Sequence, residues 1–184
     1  MAAGAAVPGL FFTFAAMVLL IFASVSAPTW NSVSFLDAGG LHFGVFGYTG
    51  SSTHVGYNFP APVGDSKLND RTFYHLTQVL ILIPIAAGLS GLAFLFGVCG
   101  AGYHRVGTIL MSLLSALAMI VTLVVWVIEM VLFGVAHHHA RERGVDATWG
   151  NANWLVLGAL VALFLGFITA TCGIFGSYRA RRGY

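Results

Sequence analysis

With 184 residues, of which 58% are hydrophobic and only 8% charged, and a mean hydropathy of +0.88, the chain lies far from a soluble average and reads as a membrane protein. A net charge of +2, from 8 Lys and Arg against 6 Asp and Glu, is too small and too scattered for a nucleic-acid footprint, so no nucleic acid is expected as a partner. The two cysteines, Cys99 and Cys172, sit inside or at the end of apolar runs, which excludes an extracellular disulfide framework.

A spanning helix needs about 20 mostly apolar residues. Four runs qualify, at about 8–27, 75–98, 107–133 and 152–175, and together they predict an all-α membrane protein: one four-transmembrane-helix bundle over residues 1–184. The first run resembles a secretory signal at Val25-Ser26-Ala27, but no Lys or Arg precedes it and Pro28 would follow the cut, so it is expected to be retained as a span. Between the spans lie a long first loop (28–74), a tight turn (99–106) and a second loop (134–151). Lys and Arg tie at four on each side: Arg105, Arg179, Arg181 and Arg182 against Lys67, Arg71, Arg141 and Arg143. The first four sit in short segments close to the bilayer, where the positive-inside bias is strongest, and so both termini are expected in the cytosol.

In the first loop, Leu41, Phe43 and Val45 alternate with His42, Gly44, Phe46 and Tyr48, the period of a strand. Trp30 to Leu36 reads as its partner, and Asp37-Ala38-Gly39-Gly40 as the tight reversal, so a small extracellular β-sheet is expected from this loop. Farther on, Asn69 or Asp70 is expected to cap the second helix.

Helices in lipid associate through close backbone approach, which small residues four apart permit. Gly158, Ala162, Gly166 and Ala170 make such a stripe on the fourth span, with a weaker version at Ala87 and Gly91 on the second; the stripe is expected to face the bundle, an oligomer interface being the other reading. Pro84, inside the second span, removes one backbone bond and predicts a kink.

Glu129 is the one charged residue inside a span, where a carboxylate costs several kcal/mol unless paired, protonated or near the interface. Placed within about a turn of the outer end of the third span, it is expected to reach water or the sheet and make a structural hydrogen bond, with partner contact or a proton or ion role as the other readings. No second acid, His or Lys accompanies it at depth, which argues against transport. His42, His54, His75, His137, His138 and His139 fall on the outer side and only His104 inside. The adjacent His137, His138 and His139 are candidates for sensing external pH, although a solvated run is the plainer account and no zinc-like spacing accompanies them, so no metal is expected. No nucleophile with base and orienter, no carboxylate pair and no phosphate-cradling loop is present, so neither an enzyme, a small-molecule substrate nor a cofactor is expected. Cys99 and Cys172, near the cytosolic ends of their spans, are candidates for palmitoylation, burial being the commoner state.

Several segments, taken together, resemble a known pattern. They are Pro28-Thr29-Trp30, Phe43-Gly44-Val45-Phe46-Gly47-Tyr48, Val55-Gly56-Tyr57, Leu76-Thr77 with Pro84-Ile85-Ala86, Arg105-Val106-Gly107, and Gly150-Asn151-Ala152-Asn153-Trp154-Leu155. Over nearly the whole chain they are similar to the claudin-like superfamily, and within it to the fungal pali family of eisosome tetraspanners and PalI-type pH-response proteins. One departure stands out. The family's loop carries a cysteine pair, whereas here Thr49 follows the Gly-Tyr and His54 lies near the second position. The stabilisation such a bridge supplies, about 2–4 kcal/mol, is expected instead from docking of Trp30, Phe43, Phe46 and Tyr48 on the helices or from a partner covering the sheet. The resemblance implies a non-catalytic plasma-membrane protein: an auxiliary subunit of a larger integral membrane protein serving the cell wall, an ion pump or pH signalling. A self-associating organiser of membrane domains is the alternative, and a pH sensor or small transporter a more distant one. The tail through Arg179, Arg181 and Arg182 has no room for a signalling domain and is expected to hold anionic lipid at roughly 1 kcal/mol per basic residue.

Overall fold

A computed structural model describes residues 3–60, 63, 71–102 and 105–179, with the backbone alone for 3–6, 101–102, 105–106, 108, 170 and 172–179. The apolar runs form helices α1 (Ala3–Ser24), α3 (Leu82–Gly102), α4 (Arg105–Glu142) and α5 (Ala152–Arg179), and a short α2 (Arg71–Val79) precedes α3. All four long helices are apolar and long enough to cross a bilayer, α2 and α3 counting as one span. In the bundle α1 lies against α5 and α3, and α4 against α3 and α5.

Small residues set the helix spacing. A Cβ at Gly166 would stand 3.3 Å from Phe12 Cβ, and one at Gly158 would stand 3.5 Å from Leu19, so this face of α5 lies on α1. A Cβ at Gly91 would lie 3.3 Å from Met17 Sδ, which places that face of α3 on α1 as well. Ala87 and Ala162 are buried, and the side chain of Ala170 lies outside the described residues.

The spans differ in detail from the sequence expectation. The kink expected at Pro84 is a break at Leu80–Ile81 between α2 and α3. Pro84 has no N–H for the Leu80 carbonyl and its ring would press on it, so that carbonyl accepts the Ile83 N–H at 3.0 Å instead. The first span ends as a helix at Ser24 rather than at 27. The third continues nine residues past Phe133, through the histidines to Glu142, where the Val145 N–H reaches the Ala140 carbonyl and the Gly144 N–H the Arg141 carbonyl, a Schellman stop. The second loop is therefore much shorter than 134–151.

The sheet also differs. Strand β1 is Leu36–Ala38 and β2 is Leu41–Phe43, so the expected partner strand at 30–36 is displaced toward the turn. Leu36 pairs with Phe43 and Ala38 with Leu41 across Gly39-Gly40, whose φ values of 59° and 78° suit a two-residue hairpin turn. A third strand, β3 (Ala147–Trp149), comes from the second loop and pairs antiparallel with the free edge of β1, giving the order β2-β1-β3. Beyond Phe43 the alternating segment turns back on itself, with a single bridge from Phe43 to Tyr48. Lys67, His104 and the helix cap expected at Asn69 or Asp70 lie outside the described residues.

The first loop folds back on α1 at Gly44, where an added Cβ would stand 2.0 Å from the Ala27 carbonyl oxygen. Substituting Gly44→Ala should therefore destabilise the protein by at least about 2 kcal/mol, because backbone meets backbone and no side chain can yield. Gly88→Ala, where nothing lies within 4 Å, should be neutral or mildly stabilising. Thermal melting of the two variants in detergent checks the contrast.

Candidate functional site

The candidate site lies where the sheet covers one end of the bundle. Along α4 the buried positions Met111, Ser115, Ala118, Thr122, Val125, Glu129, Leu132, Ala136 and Ala140 recur every three or four residues, the inner stripe of a packed helix. Glu129 occupies a place in that stripe which its neighbours fill with apolar or hydroxyl side chains. One turn above it Phe133 stacks on Phe35, the residue before β1, with ring centroids 5.4 Å apart and planes 9° from parallel. Phe35 and Phe133 are both completely buried, so the sheet forms a lid over this part of the bundle.

Two asparagines at the start of α5, Asn151 just before it and Asn153 in its first turn, hold that lid. The Asn153 Nδ2 amide donates to the Phe35 carbonyl at 2.8 Å, and the backbone N–H of Gly150 donates to the same carbonyl at 3.0 Å. Asn151 accepts the Ser34 N–H at 3.1 Å and donates to the Ser32 carbonyl at 2.8 Å, while the Ala152 N–H meets the Ser34 carbonyl at 2.9 Å. Sequence reasoning quoted these asparagines as a family-like segment without a role; amides flanking a helix start in a loop were the available signal.

The expectation that Glu129 reaches water or the sheet is overturned. The residue is 0% exposed and neither carboxylate oxygen has a hydrogen-bond partner, because α4 runs on for more than three further turns and Phe133 with Phe35 closes the way out. The Trp126 indole nitrogen, the Ser115 hydroxyl and the Asn153 amide oxygen are also buried without partners. Buried hydroxyls elsewhere in the bundle are tied to their own helices: Thr13 donates to Gly9, Ser90 to Ala87 and Thr122 to Ala118.

The loop aromatics are unequal. Phe43 is the centre of a cluster with Tyr48, Tyr57 and Phe59 at centroid distances of 5.9, 6.4 and 5.3 Å. The Tyr57 hydroxyl donates to the Gly44 carbonyl at 2.9 Å, and burial pushes its pKa up. The Thr77 hydroxyl accepts the Tyr57 N–H at 3.1 Å, fixing the loop to α2. Phe46 is half-buried against the core, and Trp30, expected to dock on the helices, is 45% exposed with its ring at the edge of Phe22, 5.9 Å away. At the position of the missing cysteine, Thr49 donates its backbone N–H to the His42 carbonyl at 3.0 Å and accepts the His42 N–H on its hydroxyl at 3.2 Å. The His54 N–H meets the Phe46 carbonyl at 3.1 Å. Each of the two positions is thus tied to the strand segment before it, Thr49 to His42 and His54 to Phe46, rather than to the other.

The three adjacent histidines stand in different surroundings. His137 stacks on Trp149 with centroids 5.4 Å apart, His138 lies 3.2 Å from the Glu142 carboxylate, and His139 lies 3.8 Å from the same group. His42 pairs with Asp37 across the hairpin at 2.6 Å. No group of three or more His, Cys, Asp or Glu side chains is placed to share a metal among the described residues. Cys99 is exposed near the end of α3; the side chains of Cys172 and Arg179, together with Arg181 and Arg182, lie outside the described residues.

Comparison with known proteins adds two findings. The family model described as the SUR7/PalI family matches residues 5–169. The chain is also similar to the uncharacterized membrane protein TOS7 of Saccharomyces cerevisiae, 35% identical over 89 residues, which is 45% of this chain and 16% of the yeast protein. The match thus spans less than a fifth of that relative's length.

Replacing Glu129 by an unbranched apolar side chain of similar volume removes two buried acceptors without opening a cavity. Glu129→Met is expected to raise stability by about 1–3 kcal/mol, read from thermal melting in detergent or nanodiscs. A lower melting temperature would mean that the carboxyl group is held by a partner in the folded bundle.

Proposed function

The chain belongs to the SUR7/PalI family of membrane proteins, and from that premise we propose that it is a non-catalytic auxiliary subunit of a larger integral membrane protein of the plasma membrane. The observation that carries the reading is the outer face of α4. Exposed Ile109, Leu113, Leu117, Ile120, Val124, Val127, Val131 and Val135 follow one another at three- and four-residue steps, a continuous apolar stripe about 39 Å long. On α3, which starts from the same level because a Cβ at Gly107 would stand 2.5 Å from Gly100, exposed apolar side chains run only from Val98 to Ile81, about 26 Å. The α1 belt, from Val7 to Val25, is about 27 Å long.

Those shorter belts fit a hydrocarbon core of about 30 Å. The upper part of the α4 stripe rises above them with Val131 and Val135 (54% and 42% exposed), and Trp149, 44% exposed on the edge strand β3, stacks on His137 of the same stretch of helix. A Cβ at Gly134 would lie 3.7 Å from the Trp149 ring, so helix and strand make one apolar ridge. Apolar surface that leaves the lipid belt is stabilised by a protein that covers it. The ridge supports a partner with its own spanning helix, rather than lipid alone.

In this reading the sheet lies outside the cell and both termini in the cytosol, supported by Arg105, Arg179, Arg181 and Arg182 in short segments flanking the spans. The histidine pairs and the exposed Cys99 then lie on opposite sides of the membrane.

A photo-crosslinking amino acid placed at position 131 or 135 of the full chain, irradiated in native membranes, should join it to one larger membrane protein. The double substitution Val131→Ser, Val135→Ser should reduce co-purification of that protein at least about fivefold, or about 1 kcal/mol, without lowering the melting temperature. Cross-links to lipid alone would sink the auxiliary reading; cross-links to a second copy alone would replace it with the self-associating organiser.

A further inference from the structure

An open groove of about 390 Å³ lies between the end of the first loop and α2. Tyr48 and Tyr74 stand on its sides, with Ser52, His54 and Asn58 along its rim, and Gly56 and Tyr57 in its floor. Tyr74 lies near the start of α2, on the sheet side of the break at Leu80–Ile81, so the groove is at the loop end of this span.

The groove is built into the fold. Its floor is fixed by the Tyr57 hydroxyl on the Gly44 carbonyl at 2.9 Å and by the Tyr57 N–H on the Thr77 hydroxyl at 3.1 Å. Gly56, with φ of 80°, lets the loop pack directly on α2: a Cβ there would stand 2.6 Å from Gln78 Cγ and 3.3 Å from the Tyr74 ring. The Tyr48 wall is held by the Ser51 hydroxyl, which receives the Tyr48 N–H at 3.0 Å and donates to the Tyr48 carbonyl at 2.8 Å. On the rim, the Ser52 hydroxyl lies 3.1 Å from His54 Nδ1 and sets the orientation of that ring. Asn58, exposed beside it, offers both a carbonyl oxygen and an amide.

The lining selects a class of ligand by its chemistry. Among the described residues its lining has no Asp, Glu, Lys or Arg to match an anion or a cation by opposite charge. The Ser52 hydroxyl and the Asn58 amide carry no charge and both donate and accept, and they line the groove together with aromatic rings whose π faces attract the weakly positive C–H edges of a saturated ring. A pyranose presents that combination, with an axial C–H face and a rim of hydroxyls. We propose that this groove binds a neutral oligosaccharide, with Tyr74 as the stacking platform and Asn58 and His54 as hydrogen-bonding groups. The proposal rests on the groove alone and is independent of the auxiliary-subunit reading.

The test uses the full chain in lipid nanodiscs, free of sugar-headed detergents. Three probes are titrated by calorimetry and by saturation-transfer NMR: the linear hexaoses of β-1,3-linked glucose, β-1,4-linked N-acetylglucosamine and α-1,6-linked mannose. At least one is expected to bind with Kd below about 1 mM, with an affinity changed less than about twofold between 50 and 500 mM salt. Tyr74→Ala and Asn58→Ala should each weaken it at least about tenfold, Tyr74→Phe should retain it, and melting should be unchanged in all three. Absence of binding by all three hexaoses at about 5 mM, or an affinity that neither alanine variant moves, would overturn the proposal.

Discussion

The backbone of Ser34 and Phe35 is the junction on which the sheet end of this molecule depends. Its carbonyls receive the N–H groups of Gly150 and Ala152 and the Asn153 amide, and the Ser34 N–H is received by Asn151. Every one of these bonds joins the first loop to the end of the second loop or the first turn of α5, and each would otherwise be a polar group needing water at the mouth of an apolar bundle. Because they are satisfied, Phe35 can stack on Phe133, β1 can lie between β2 and β3, and α4 can run on beneath the sheet. Glu129 is sealed by the same junction.

That dependence accounts for what the sequence revealed and what it hid. The four spans were legible because twenty apolar residues in a row have few other uses, and the fold class followed from them. The hairpin was legible from Gly39-Gly40 and the alternation around Phe43, but its register was not, since three-residue strands carry too little pattern to place an edge. β3 was invisible for the same reason: Ala147-Thr148-Trp149 has no periodicity of its own and is a strand only because the edge of β1 is free to receive it. The length of α4 was misjudged because polar His137 to Glu142 looked like loop, whereas packing of Ala136 and Ala140 and the His138–Glu142 pair keep the segment helical.

The candidate site was less legible than the fold. Glu129 stood out in the sequence as a charge among apolar residues, but its isolation depends on a lid made of residues almost a hundred positions earlier. The aromatics around Phe43 were visible as types, while their division into a buried cluster and an exposed Trp30 required the close crossing of Gly44 over Ala27. The family membership explains why these segments recur together, and the geometry explains why a loop lacking the expected cysteine pair can still be ordered, with Thr49 and His54 tied by backbone bonds.

The junction also fixes an order of events during synthesis. The Phe35 carbonyl and the Asn153 amide that meets it are 118 residues apart, with two hydrophobic spans between the first loop and the last helix. As the chain is made, the first loop leaves the ribosome early with one edge of β1 open and the Phe35 ring without its cover. It stays so until α4 has been inserted and the second loop has followed. Nascent chains of this architecture therefore pass through a long interval in which an unpaired strand and an aromatic plug are presented to whatever surrounds them. Closure of the sheet marks the point at which the last span has taken its place.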